Sequence, residues 1–352
     1  MVSIIEDYYI EFRDFKYFFI KQLYGLKKYE AYKIWSHWLI RNLCKNVNNY
    51  HLIPMDRTLH DDDDIITLLT EKGLTSDFIN RSYGSIMSRA SELYHKYHQL
   101  KIDHLTNMDQ LIEANRLIIY DTVYIDGKQY HIYRYGRIYV KYNNYIHDRL
   151  VVRYCGNMKC FRFCMFEMGF NYYMLEGHSF QWGLPPKVFS IVERSLMTQT
   201  EMFASPINVN LPNYYSLFYI DKYFGALDNF FNIQPNTIKE GTYEVNPPFI
   251  EYIFVESSKM MLSMLNNGQD LLFIYIMPNW VDSGGYQLLI HSEYLLDEIV
   301  LAEKEHFYHH NLKHRMIMAN FETHILIIGT PIASKRWTAD IKAKFIENFT
   351  HY

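Results

Sequence analysis

Two adjacent prolines constrain the second half of this chain more than any other feature. Gly241-Thr242-Tyr243-Glu244-Val245 is a β-type run, and Ile250 to Leu265 has helical spacing. Between them stands Asn246-Pro247-Pro248-Phe249. Proline fixes φ and has no N–H to donate, so the pair stiffens the loop and sets its direction. The segment therefore reads as strand, rigid turn, helix, a unit that belongs in a sheet covered by helices.

The flanking sequence keeps this rhythm. Val188 to Leu196 reads as a helix opened by Pro185-Pro186. Met202-Phe203-Ala204 reads as a short strand, Leu271 to Met277 as a strongly apolar strand, and His291 to Ile299 as a helix. Ile317 to Phe321 and His324 to Ile328 are further strands, the second ended by Gly329. Short apolar strands alternating with helices predict a sheet covered on both faces.

The first half differs. Tyr8, Phe12, Phe15, Phe18, Phe19 and Leu23 recur at three and four, and Trp35, Trp38 and Leu39 continue the theme, so residues 8–50 read as helices. An aromatic platform for bases is one reading of this stripe; core packing is the plainer one. Thr75-Ser76-Asp77 caps a helix that runs through Ile86 to Leu93. Asp126-Gly127, between Thr122-Val123-Tyr124-Ile125 and Tyr130-His131-Ile132-Tyr133, predicts a hairpin that Arg137 to Lys141 extends. Leu150 to Tyr154 and Phe161 to Tyr173 are apolar without a decided period. The expected organisation is a helical domain (1–120), a hairpin and connecting segment (121–172) and an α/β domain (173–352).

Composition narrows the function classes. With 49% hydrophobic and 17% aromatic residues the chain is globular. A net charge of -4 carries no global signature of a nucleic-acid binder, so any such contact needs a local basic surface. Four cysteines do not make a disulfide framework. Cys155, Cys160 and Cys164 lack a fourth ligand at zinc spacing and read as buried thiols. The acidic run His60-Asp61-Asp62-Asp63-Asp64 reads as a solvated loop before a helix, and no metal is expected. The start, Met1 to Asp7, has no positive n-region, and Phe273 to Met277 is too short to span a bilayer, so no membrane partner is expected. The 32 Tyr, with many Ile, Asn and Lys, fit an A/T-rich genome such as that of a large DNA virus.

The Asn-Pro-Pro-Phe turn suits one kind of chemistry. An exocyclic amine such as adenine N6 is a poor nucleophile, because its lone pair is delocalised into the ring. Two acceptors bonding its two N–H hydrogens localise that pair. Asn246 offers a side-chain carbonyl and Pro247 a backbone carbonyl, while Phe249 offers a face for stacking. The same acceptors stabilise the positive charge that develops on nitrogen. A cofactor site is expected at the strand ends, around Phe203-Ala204-Ser205-Pro206-Ile207-Asn208, although a G-x-G turn is missing. Asp221 with Tyr223-Phe224-Gly225 offers a carboxylate for ribose hydroxyls and an aromatic for adenine; an ordinary loop acid is an equal reading.

Taken in order, these segments resemble the cap-specific adenosine N6-methyltransferases typified by phosphorylated CTD-interacting factor 1. The resemblance runs from about Tyr173 to Gly329. It takes in Leu175-Glu176-Gly177, Gln181, Leu184-Pro185, Phe203 to Pro206 with Asn208, Tyr223-Phe224-Gly225, Glu244 with Asn246-Pro247-Pro248-Phe249, Pro278-Asn279-Trp280, and Glu305-His306 with Tyr308. It implies a Rossmann-like S-adenosylmethionine-dependent methyltransferase domain preceded by a mainly helical domain with a β-hairpin. It implies methyl transfer to N6 of the first transcribed (2′-O-methyl)adenosine beside the m7G cap of mRNA. The catalytic role falls on Asn246, Pro247, Pro248 and Phe249. The cofactor role falls on Phe203, Ala204, Ser205, Pro206, Asn208, Asp221, Phe224 and Gly225. Glu176, Gln181, Trp280, Glu305 and His306 are candidate RNA contacts. Alternatives that keep the motif are N6-adenine methylation of internal RNA or DNA, methylation of a protein glutamine amide, and a non-catalytic cap-binding scaffold. No WW module is recognisable, and Trp35 and Trp38 lie on helical spacing, so binding to the phosphorylated polymerase tail is not expected. A cytoplasmic enzyme is expected, in the host cytoplasm, a viral factory or a virion if the source is viral.

Overall fold

The computed structural model describes residues 2–45, 66, 69–175, 181–268 and 270–351, in two compact units. The first unit comprises residues 1–177 with 218–223. It begins with α1 (Val2–Gln22), α2 (Lys28–Lys45), α3 (Ser76–Thr106) and α4 (Met108–Leu117). Thr75 Oγ1 accepts the Phe78 N–H (3.3 Å) at the start of α3. The aromatic stripe is core: Trp35 and Trp38 are fully buried against Phe15 and Phe19, and Trp35 Nε1 donates to the Met174 carbonyl (2.7 Å). Those rings have no face left for a base. The acidic run at 60–64 and residues 46–50 lie outside the described residues.

β1 (Ile119–Ile125), β2 (Lys128–Tyr135) and β3 (Ile138–Asn143) form an antiparallel three-stranded sheet. Asp126 (φ 49°) and Gly127 (φ 73°) both occupy the left-handed region, as a two-residue hairpin turn requires. The two segments without a decided period are α5 (Asn144–Arg153) and α6 (Phe161–Leu175). From Phe163 to Asn171 every residue of α6 is buried, and a helix covered all round has no polar stripe to betray its period. Cys160 and Cys164 are buried; Cys155, expected to be, is exposed, on the connection after α5 where its N–H donates to the Tyr223 carbonyl (2.9 Å).

The second unit, residues 178–217 with 224–352, is built on a six-stranded mixed sheet. Its elements are β4 (Trp182–Gly183), α7 (Pro186–Ser195), β5 (Thr200–Glu201), β6 (Asn213–Tyr214), β7 (Glu240–Val245), α8 (Glu251–Asn267), β8 (Asp270–Pro278), α9 (Gly284–Ile290), β9 (Leu295–Leu301), β10 (Phe307–His310), β11 (Arg315–Met318), β12 (Thr323–Gly329) and α10 (Ala339–Thr350). The strand order is β6-β5-β7-β8-β12-β9, and β11-β10-β4 form a separate small sheet. β6, β5, β7 and β8 run parallel, while β12 lies antiparallel to both β8 and β9.

Continuous apolar strands divide their side chains between two cores. Leu272, Ile274 and Ile276 of β8 pack with α7 and α10, while Leu271, Phe273, Tyr275 and Met277 pack with α8 and α9. The period-two alternation is hidden in the sequence because both faces are covered.

Three boundaries differ from the sequence reading. The strand expected at Met202-Phe203-Ala204 ends at Glu201, leaving 203–208 as a loop. The strand expected at Ile317 to Phe321 is Arg315–Met318. His291 to Ile299, expected to be helical, is a turn followed by β9. Leu295, Leu296, Ile299 and Val300 happen to fall at helical spacing, but pairing with β12 fixes them as strand. Asp297 in that strand is held by Trp337 Nε1 (2.8 Å) and Lys342 Nζ (2.7 Å). Among the described residues no helix is long and apolar enough to cross a membrane.

Candidate active site

Because β5, β7 and β8 are parallel, the loops that follow them leave the sheet at one edge. From β5 the chain moves out to β6 on one side and returns to β7 on the other. Strand order therefore reverses between β5 and β7, and in open α/β sheets the crevice at the carboxyl ends of such a pair is where ligands bind. The Met202 N–H donates to the Glu244 carbonyl (2.8 Å), tying the two loops together at their roots.

Asn246, Pro247, Pro248 and Phe249 leave β7 at this edge. Pro247 is buried; Asn246, Pro248 and Phe249 are half-buried. The Pro248 carbonyl is taken by the Ile250 N–H (2.8 Å), which turns the chain into α8. Among the described residues nothing donates to the Asn246 carboxamide oxygen or the Pro247 carbonyl. Two acceptors thus remain available on consecutive residues. Phe249 is steadied edge-on by Phe321 (5.7 Å between centroids) and Trp280 (6.5 Å).

The loop after β5 is tightly hydrogen-bonded. Asn208 Oδ1 accepts from the Ser205 N–H (2.7 Å), and Ser205 Oγ accepts from the Ile207 and Asn208 N–H groups (3.2 Å each). The Ser205 hydroxyl also lies 2.7 Å from Gln181 Oε1. Gln181, a candidate RNA contact, is buried against this loop. Ala204 and Phe203 stay partly exposed, Phe203 leaning on Phe230 (4.5 Å) and Phe231 (6.0 Å), while Pro206 is buried.

Beneath both loops lie two carboxyls that sequence reasoning did not bring together. Glu201 and Glu244 are register partners at the ends of β5 and β7 and are 4% and 1% exposed. Glu201 Oε1 accepts the Asn210 (2.5 Å) and Leu211 (2.6 Å) N–H groups, which favours its charged form. Glu244 Oε2 is buried and without a hydrogen-bond partner among the described residues. Burial, reinforced by Glu201, pushes the Glu244 carboxyl well above the ordinary carboxylate range, which favours its protonated form. Two acids on adjacent strands were the available signal, but β5 is too short to be recognised as one.

The remaining candidates spread out. His306 is fully buried; its Nε2 pairs with Thr323 Oγ1 (2.8 Å), which also meets the Tyr308 hydroxyl (2.9 Å), and burial lowers its pKa. Glu305 is exposed, and Trp280 is half-buried beside Phe249. Glu176 and Gly177 lie outside the described residues. The Phe224 ring is fully buried, so it offers no open face, and Gly225 (φ 90°) is exposed. Asp221 belongs to the first unit, where its buried carboxylate accepts from the Tyr172 hydroxyl (2.6 Å). In that unit His131, His147 and Asp148 bring potential metal-ligating atoms within 4.8 Å. The two rings, however, stack flat at 3.6 Å, and their nitrogens already meet Tyr120, Asn144 and Tyr133.

A family model described as the phosphorylated CTD interacting factor 1 WW domain matches residues 147–311. The chain is similar to the phosphorylated CTD-interacting factor 1 family. Proteins named mRNA (2'-O-methyladenosine-N(6)-)-methyltransferase from Mus musculus and Homo sapiens are each 29% identical to it over 153 residues. That stretch is 42% of this chain and 21% of each relative, so the match spans about a fifth of their length. The region matched by the phosphorylated CTD-interacting factor 1 model contains the β5 and β7 loops, Glu201, Glu244 and Trp280. Most of that region belongs to the α/β unit, and residues 147–177 and 218–223 of it belong to the first unit. Phe321 and Thr323, which complete the surroundings of Phe249 and His306, fall beyond the matched residues.

Proposed function

We propose that this chain is an S-adenosylmethionine-dependent methyltransferase acting on N6 of the first transcribed adenosine of capped mRNA. The single observation that carries the reading is the pair of available acceptors, Asn246 Oδ1 and Pro247 O, beside the Phe249 ring at the point where strand order reverses. The printed name of the mouse and human relatives supplies the substrate class. The strand order, with reversed β12 between β8 and β9, supports a Rossmann-like arrangement.

The residues at the strand ends fit a cationic methyl donor. The Glu201 carboxyl, whose Oε1 is held by two backbone N–H groups, favours positive charge nearby, and the unpartnered Glu244 carboxyl oxygen offers a polar contact to a ligand. Small Ala204 lets a ligand approach the β5 loop closely. S-adenosylmethionine, when bound, supplies an electrophilic methyl group. Asn246 Oδ1 and Pro247 O accept the two N–H hydrogens of the adenine amine and so concentrate its lone pair. Phe249 stacks on the base and fixes its plane, with Phe321 and Trp280 holding the ring. The acceptors gain strength as nitrogen becomes positive, which is where transition-state stabilisation arises. A cap-adjacent adenosine is not locked in a duplex, so it enters such a pocket without breaking base pairs.

Labelled methyl transfer tests the proposal on three RNAs: capped and starting with A, capped and starting with G, and uncapped starting with A. Incorporation confined to the capped A-start RNA is expected. Equal incorporation into all three would refute cap-adjacent specificity, and none into any would refute the enzyme.

A further inference from the structure

The β1-β2-β3 sheet has one face on the core of the first unit and one face open. The inner face carries Tyr133, Tyr135, Val140 and Tyr142, all buried, with the Tyr142 hydroxyl donating to the Met165 carbonyl of α6 (2.5 Å). Register fixes what the outer face presents: Ile119 opposite Arg134, Ile125 opposite Lys128, Arg134 opposite Tyr139, and Ile132 opposite Lys141. Tyr130 stands diagonal to Lys141 on the same face. Ile119 is 57% exposed and Tyr139 56%, an unusual degree for large apolar groups on the two outer strands of one sheet.

Each outer tyrosine has its own cation. Lys141 Nζ lies 4.7 Å from the centre of the Tyr130 ring, and the Arg134 guanidinium lies 5.6 Å from that of Tyr139. With Lys128 the face carries three cations against the single carboxylate of Asp121, in a chain whose net charge is -4. The face is thus a local basic patch on an acidic protein. Aromatic faces beside cations on an open sheet match the repeat of a single strand of nucleic acid, base and phosphate in turn.

We propose that the outer face of this sheet is a docking surface for single-stranded RNA, with Tyr130 and Tyr139 stacking on bases and Lys128, Arg134 and Lys141 meeting phosphates. It rests on the proposed function for the identity of the strand, which is the mRNA beyond the methylated nucleotide. Sequence preference is not built into such a surface, because every base has a face to stack.

The test uses the whole chain and a fluorescent single-stranded oligouridylate about 12 nucleotides long. Anisotropy is followed for the wild type, for Tyr130→Ala with Tyr139→Ala, and for Arg134→Glu with Lys141→Glu; thermal melting confirms that each variant folds. The tyrosine pair is expected to weaken binding roughly tenfold or more. The charge pair is expected to weaken it and to flatten the slope of log affinity against log salt by about 1.4. Unchanged affinity in folded variants overturns the proposal. So does a result in which the variants lose only self-association in sedimentation, which assigns the face to a second copy of the chain. Methyl transfer to a capped dinucleotide, which has no downstream strand, separates the two readings. Absence of methyl transfer in the wild type both to the dinucleotide and to the longer capped A-start RNA, together with face-dependent RNA binding, leaves the docking surface standing and removes the catalytic reading.

Discussion

At the scale of single residues, burial sets the state of Glu244 and Glu201 reinforces it. The folded protein raises the Glu244 pKa above the ordinary carboxylate value, chiefly by burial. A carboxyl raised in this way contributes its full stability below the unfolded pKa, and that contribution is lost as pH rises through the folded value. Glu244→Gln does not titrate, so the melting temperature of the wild type is expected to fall relative to that variant as pH rises above the ordinary carboxylate range. A constant difference as pH rises would show that folding does not raise the Glu244 pKa. Asn246→Ala removes one acceptor and leaves unchanged the loop after β5, where the methyl donor is proposed to sit. It is expected to lower turnover by roughly 10²–10³ with donor affinity by calorimetry near the wild-type value. Normal turnover would end its assignment as an acceptor. The acceptors were legible in the sequence because Pro-Pro permits few conformations. The carboxyl pair was not, because Glu201 and Glu244 meet only through strand pairing across 43 positions of sequence (244 − 201).

At the scale of elements, close approach matters as much as pattern. A Cβ on Gly285 of α9 would come within 2.5 Å of the Phe254 backbone in α8. Backbone cannot yield as a side chain can, so Gly285→Ala is expected to destabilise the second unit by about 1–3 kcal/mol in denaturant unfolding. A variant as stable as the wild type would mean that the two helices have room to part. The helices of the first unit were readable from aromatic spacing, since Tyr8, Phe12, Phe15 and Phe19 share one buried face. The Asp126-Gly127 turn was readable from backbone preference alone. β9 was misread because Leu295, Leu296, Ile299 and Val300 fit a helix locally; only the distant β12 makes them a strand. β5 was misplaced because two residues are too few to show alternation. Local chemistry was visible, and what long-range pairing imposes was not.

At the scale of the whole molecule, charge limits how the proposed RNA substrate would be held. A net charge of -4 gives no global basic field, so the proposed docking would rest on a few local cations. With three cations on the open sheet, the slope of log affinity for single-stranded RNA against log salt is expected to be about -2 and no steeper. A slope near -4 would require cations elsewhere on the surface. The arrangement of the large sheet also bears on how the protein is made. β12 is buried along its whole length between β8 and β9, yet it is the last strand in the chain. During synthesis β8 and β9 emerge first, with the slot between them unfilled and their apolar edges open. Assembly of the second unit therefore waits until residues 323–329 have cleared the ribosome, and a transcript truncated before Thr323 yields a chain prone to aggregation rather than a partial enzyme.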